Sequence, residues 1–203
     1  MSATVNPEQA ILQAKAGDEA ALGPLLELYR NYLRLLARIE VGRRLQGKLD
    51  ASDIVQETFL EAHRNFGGFR GTAEPQFVAW LRQILAAKVA NLVRHYFGTQ
   101  QRDIRLEQEL AAGIDHSSHM LGAELAASMT SPSQNAAARE QSVLLADALE
   151  RIPPDYRDVI ILRHLEGLTF PEVAKRMGKT QDSVEKLGLR GLARLRQEFG
   201  VMP

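Results

Sequence analysis

The 203-residue chain balances 25 basic against 25 acidic side chains, and 45% of its residues are hydrophobic, a composition suited to one or two globular domains. It has no cysteine, which excludes disulfides and thiolate metal sites and fits a reducing cytoplasm. No signal-peptide pattern opens it, and no apolar run approaches the roughly 20 residues that a membrane span needs.

Helical signals run through most of the chain. Asn6-Pro7 reads as a cap followed by proline in a first turn. Asp18 begins a second helix, with Leu22, Leu25, Leu26, Tyr29, Leu33 and Leu36 on one stripe. Pro24 falls inside that stripe, so the continuous part is expected to start near it. Asp50 or Ser52 caps a third segment, Asp50-Ala-Ser-Asp-Ile-Val-Gln-Glu-Thr-Phe-Leu-Glu-Ala-His63, which ends at Gly67-Gly68. Its apolar side is Ile54, Val55, Thr58, Phe59 and Ala62, and its polar edge is Asp53, Gln56, Glu57 and Glu61. Taken alone, that edge means only a surface helix.

Thr72 and Pro75 open a long helix to about Phe97, striped by Val78, Leu81, Leu85, Val89, Leu92 and Tyr96. Its basic groups alternate with aromatics, which suits bases that stack and phosphates that attract cations. A core helix with Trp80 buried explains the aromatics equally well. From about Gly98 to Gln134, serines, glycines and alanines show little periodicity, and three basic residues face six acidic ones over 101–145. A linker is expected there, with a short helix at 103–111. Within it, His116 and His119 lack the surrounding ligands of a metal site.

Order resumes near Ser133, with a helix to about Arg151 and another from Asp155 to Leu165 behind Pro153-Pro154. In Phe170-Pro-Glu-Val-Ala-Lys-Arg-Met-Gly-Lys-Thr-Gln-Asp-Ser-Val184, Ala174, Gly178 and Val184 stand where a helix-turn-helix needs them. A small residue lets the helices approach, glycine supplies a positive φ, and a branched side chain pins the second helix. Such a motif holds a helix in a DNA major groove.

At 100° per residue, Val184, Leu187, Leu192, Leu195 and Phe199 face the domain, whereas Asp182, Ser183, Lys186, Arg190 and Arg194 face away. A solvated amphipathic face is the alternative to a groove-reading one. Gly188 and Gly191 lie mid-helix, where each costs up to about 1 kcal/mol relative to alanine. Either close packing requires them, or the helix is weak.

The zero net charge hides two basic segments. Lys175 to Arg196 holds seven basic residues against Asp182 and Glu185, and Arg82 to Arg105 holds five against Asp103. Phosphates respond to patches within a Debye length of about 8–10 Å. Two DNA contacts are expected, with weak non-specific affinity.

The order of the three blocks resembles that of bacterial RNA polymerase sigma factors of the extracytoplasmic-function type. Asp53-Ile-Val-Gln-Glu-Thr-Phe is similar to their polymerase-clamp-binding helix, and Phe77-Val-Ala-Trp-Leu through Arg94 to the helix that opens and reads the minus-ten element. Leu149-Glu-Arg-Ile-Pro-Pro through Val173-Ala resembles the minus-thirty-five domain. The resemblance covers about 18–97 and 140–198.

It implies an all-α protein of two small helical domains, 1–99 and 135–203, joined by a flexible linker at 100–134. Core RNA polymerase and promoter DNA are the implied partners. Any regulator would be another chain, with an anti-sigma protein as the candidate. No catalytic role and no cofactor are implied.

Asp53, Gln56 and Glu57 would face the polymerase clamp. Lys88, Asn91, Arg94 and His95 would meet the minus-ten region. Lys179, Ser183, Lys186, Arg190 and Arg194 would grip the minus-thirty-five duplex. Lys179, Glu185, Leu187 and Gly188 depart from the usual residues of that helix, which bears on its sequence preference. A stand-alone dimeric regulator and a polymerase-binding decoy are the rival functions.

Overall fold

The computed structural model describes residues 6–45, 50–97, 104–121 and 138–200, and for 43–45, 97 and 138–140 the backbone alone. The chain divides into two compact units, Met1–Asp115 and His116–Pro203. Among the described residues every regular element is helical.

The first unit contains α1 (Pro7–Lys15), α2 (Glu19–Glu27), α3 (Arg30–Leu45), α4 (Ala51–Asn65) and α5 (Glu74–Phe97). Their starts follow from short polar side chains that accept orphan backbone N–H groups. Asn6 accepts from the Gln9 amide at 3.1 Å, Asp18 from Ala20 at 3.1 Å, and Asp50 from Ser52 at 2.8 Å. The third of these decides for Asp50 over Ser52 as the cap of α4.

The stripe from Leu22 to Leu36 is buried throughout, yet two helices carry it. The break falls at Leu28–Tyr29 rather than at Pro24, which lies inside α2. Pro24 and Ala20 are both exposed, so the Ala20 carbonyl that proline leaves unpaired meets water and the short helix continues.

Helices α3, α4 and α5 pack on one another, and α1 lies on α2 and the start of α5. An aromatic cluster closes that end. Phe69 lies 5.1 Å from Trp80 and 5.6 Å from Phe77, and Phe77 lies 5.7 Å from Tyr29. The Tyr29 hydroxyl donates to Glu74 Oε1 at 2.8 Å, and burial, with the Glu74 charge beside it, pushes the phenol well above its usual range.

Gly71 makes this closure possible. A Cβ there would run into Phe69 Cζ and stand 2.8 Å from Gln76 Cβ, whereas one at Gly67 meets nothing within 4 Å. Gly71→Ala is therefore expected to destabilise the unit by about 1–3 kcal/mol, and Gly67→Ala to leave it nearly unchanged. Thermal unfolding of the two variants checks the contrast.

Helix α6 spans Ile104–His119, longer than the short helix expected inside the linker. Its portion up to Asp115 belongs to the first unit. Leu110 and Ile114, four residues apart, are fully buried. Arg82 on α5 pairs with Asp115 at 2.7 Å, and Arg94 with Glu107 at 3.1 Å. Gly113 lies against the buried Glu40 of α3, where an added Cβ would be 2.9 Å from Oε1. The expected resumption of order near Ser133 lies outside the described residues.

The second unit contains α7 (Ala138–Arg151), α8 (Pro154–Ile160), α9 (Phe170–Met177) and α10 (Gln181–Gly200). Beyond α8 the chain widens into a π turn over Ile161–Leu165, where the Glu166 amide donates to the Ile161 carbonyl at 2.9 Å. Gly167 then reverses the chain with φ 75°. Val159, Leu162, Val173, Ala174 and Val184 form a core of this unit, with Phe170, Met177 and Leu187 packed against it.

Candidate nucleic-acid and partner interfaces

On α4 the sequence divides cleanly between two faces. Ile54, Val55, Thr58, Phe59 and Ala62 are all buried, and the Thr58 hydroxyl is satisfied by donating to the Ile54 carbonyl at 2.8 Å. Asp53, Gln56 and Glu57 are exposed, spaced so that they share one side of the helix. Among the described residues none of the three has a hydrogen-bond or ion-pair partner.

Leu60 continues that side one turn on and is 45% exposed, an apolar member that charge patterning missed. Its spacing from Asp53, Gln56 and Glu57 was the available signal. Glu61 behaves differently: it accepts from Lys88 Nζ at 2.8 Å and from Asn65 at 2.6 Å, which hold its carboxyl below the usual range. It ties α4 to α5.

That tie changes the reading of α5. Lys88 and Arg94 are only 20% and 14% exposed, because carboxylates on α4 and α6 occupy them. Arg94 also donates to the Asn91 side chain. Of the four residues expected at the minus-ten element, Asn91 and His95 are exposed. Tyr96, 46% exposed, stands edge-on to His95 with ring centroids 6.2 Å apart. Phe77 is fully buried in the aromatic cluster, whereas Trp80, expected to be buried, is half-buried with its ring 5.8 Å from that of Phe77.

The helix-turn-helix forms from α9 and α10. Thr169 and Glu172 build a capping box at its start, with the Thr169 amide and hydroxyl donating to Glu172 Oε2 at 2.7 and 2.6 Å. These bonds hold the Glu172 carboxyl below its ordinary range. Gly178, at φ 62° and ψ 33°, ends α9 in the left-handed region, and the Lys179 amide donates to the Ala174 carbonyl at 3.0 Å. The Thr180 hydroxyl then accepts from the Ser183 amide at 3.3 Å and caps α10. Arg163 braces the approach to α9, donating to the Leu168 carbonyl and lying over the Phe170 ring.

Val184, Gly188, Gly191 and Leu195 are the buried side of α10. Of the two glycines, Gly191 marks a close approach to α8. A Cβ at Gly191 would lie 3.1 Å from Tyr156 Cβ and 3.3 Å from the Tyr156 carbonyl oxygen, and one at Gly188 would lie 3.4 Å from Val159 Cγ1. Close packing accounts for Gly191, whereas at Gly188 a Cβ would make only an ordinary contact and glycine leaves the helix weaker than alanine would.

Outward, Lys186, Arg190 and Arg194 are exposed and Ser183 is half-exposed. Lys186 pairs with Asp182 at 2.7 Å, one turn back, and Arg194 with Glu198 at 2.6 Å. Exposed pairs of this kind contribute little and yield readily to phosphate. Among the described residues Arg190 has no such partner. Lys179 pairs with Asp155 of α8 at 3.1 Å, so it faces the start of α8 as well as the turn. Glu185 accepts from Gln181 at 2.8 Å, and Leu187 packs on the core.

Among the described residues no group of histidines and carboxylates can hold a metal ion, and no helix is long and apolar enough to cross a membrane.

The Sigma-70 region 2 family matches residues 28–100, and the Sigma-70 region 4 family matches residues 142–195. The ECF RNA polymerase sigma-E factor of Haemophilus influenzae is 30% identical over 171 residues, 84% of this chain and 83% of that protein. The ECF RNA polymerase sigma factor BldN of Streptomyces coelicolor is 31% identical over 92% of this chain and 64% of its own length. A solved structure of an RsbN–BldN complex matches 92% of this chain and 97% of that chain, with 24% identity and a TM-score of 0.32.

Proposed function

Because the chain belongs to the ECF RNA polymerase sigma factors, with regions 2 and 4 of the Sigma-70 family in order, we propose that α4 docks on core RNA polymerase while α5 and α10 meet the two promoter elements. The protein is a transcription initiation factor that binds the core enzyme and directs it to a class of promoters. Chemistry stays in the polymerase, and the work of this chain in the cytoplasm is to supply binding energy that favours the opened promoter.

The observation that carries the docking assignment is the idle acidic side of α4. Asp53, Gln56 and Glu57 point outward from a helix whose other side is core, whereas Glu61, Glu74, Glu107 and Asp115 each hold a partner within the first unit. A basic surface on the clamp of the largest polymerase subunit is their complement.

On α5, Asn91 and His95, with Tyr96 beside them, are placed to receive bases exposed by melting. Lys88 and Arg94 serve first as struts to α4 and α6. On α10, Ser183, Lys186, Arg190 and Arg194 grip the minus-thirty-five duplex, with Lys179 at its edge. An anti-sigma chain that covers α4 or α10 would silence the factor.

Two measurements test this reading. The wild-type chain should bind promoter DNA weakly by itself and strongly once core polymerase is added; strong binding as a dimer without polymerase would contradict it. Arg190→Ala should weaken promoter binding by the assembled enzyme by about 1–3 kcal/mol, the worth of a bidentate base contact. Equal binding by the variant removes Arg190 from the readout.

A further inference from the structure

Among the described residues, Leu189 is the most exposed of the large hydrophobic side chains that stand out from the surface, at 73%. It lies on α10 between Lys186 and Arg190, about 140° around the helix from the buried Val184 at 3.6 residues per turn. Leaving so much of a leucine in water forgoes most of the roughly 1.5–3 kcal/mol that its burial provides.

The surroundings indicate what covers it. Lys175, Arg176, Lys186, Arg190, Arg194 and Arg196 are all exposed on α9 and α10. Against them stand the exposed Glu172 and Asp182, so the outer surface of the two helices is net cationic, and Leu189 lies on it one turn from Lys186. A protein partner matched to that apolar spot would have to bury the surrounding cations as well. A duplex fits both features, since phosphates line the groove walls and an apolar group lies on its floor.

We propose that Leu189 is a base-reading residue that recognises the C5-methyl group of a thymine in the minus-thirty-five duplex. The inference rests on the placement of α10 in the major groove. Among the four bases only thymine presents a methyl group there, and leucine has neither donor nor acceptor to offer the others. A cytosine at the same place would leave its N4 donor facing hydrocarbon. Leu189 therefore selects by apolar contact and by exclusion, while Lys186 and Arg190, about 60° and 100° from it to the same side around the helix, hold the register through phosphate or purine contacts.

The test is a selection from promoters randomised across the minus-thirty-five region, using core polymerase assembled with wild-type chain or with Leu189→Ala. The side chain is exposed, so the variant keeps its fold, and circular dichroism checks that it does. The wild-type enzyme should select a thymine at one position that the variant no longer prefers. Replacing that thymine by deoxyuracil should weaken wild-type binding about fourfold, the worth of one buried methyl group, and leave the variant unchanged.

Identical preferences from both enzymes, or equal loss on deoxyuracil substitution, would overturn the role of Leu189. A wild-type enzyme that initiates transcription yet selects nothing in this region would overturn it together with the groove placement of α10. An enzyme that does not initiate at all would instead contradict the polymerase-docking reading.

Discussion

Reversing two charges on α4, Asp53→Lys with Glu57→Lys, is expected to weaken association with core RNA polymerase by at least about a hundredfold. Both carboxylates are exposed and, among the described residues, neither has an ion-pair partner, so their reversal costs the folded chain little beyond the favourable place of Asp53 in the first turn of α4, about 0.3–1 kcal/mol. What it takes is complementarity. Like charges set against one another in an interface cost several kcal/mol, and losing one member of a buried charge pair costs about 2–5 kcal/mol.

Glu61 supplies the internal control. Its carboxylate is occupied by Lys88 and Asn65, so Glu61→Gln should loosen the α4–α5 tie and leave polymerase binding close to wild type. Pull-down with core enzyme reads the first effect, and circular dichroism confirms unchanged helix content. Undiminished binding by the double reversal would remove α4 from the interface.

The second large effect is expected at Gly191. Leucine at this position is forced into the Tyr156 backbone, 3.3 Å from its carbonyl oxygen, at the line where α10 lies on α8. The second unit should lose about 3 kcal/mol or more, which for a unit of this size lowers its unfolding midpoint by more than about 10 °C. Gly188→Ala should go the other way. Its Cβ meets Val159 Cγ1 at an ordinary 3.4 Å, so the helix gains up to about 1 kcal/mol of propensity at little cost. Urea unfolding of the full chain separates the two. A Gly191→Leu variant as stable as wild type would mean that the helices do not approach as closely as described.

Much of the fold could be read from local chemistry. The caps at Asn6, Asp18 and Asp50 are single side chains acting on amides two or three residues away, so their effect is visible in a short window. The buried side of α4 was legible for the same reason, since its five members repeat at helical spacing. Gly178 was legible because a sharp turn at a positive φ leaves few other choices of residue.

What escaped depends on contacts distant in sequence. Leu110 and Ile114 show the four-residue spacing of a packed helix, but glycine and serine around them masked it. The anchors of α6 are Arg82 and Arg94, 33 and 13 residues before their carboxylates. The same cause hid the ion pairs of Lys88 and Arg94. A sequence displays the cations on α5, not the Glu61 and Glu107 that fold back to meet them. Gly191 reads as a fault in α10 until the wall of α8 is in place. Leu189 drew no notice because an apolar residue in an amphipathic helix is assumed to face inward.

Promoter-dependent transcription in a purified system tests the central claim most directly. Core RNA polymerase supplied with this chain and genomic DNA fragments should start transcripts at a restricted set of positions sharing two conserved elements, and core enzyme alone should not. Transcripts that begin at the same places with and without the chain would show that it does not direct initiation.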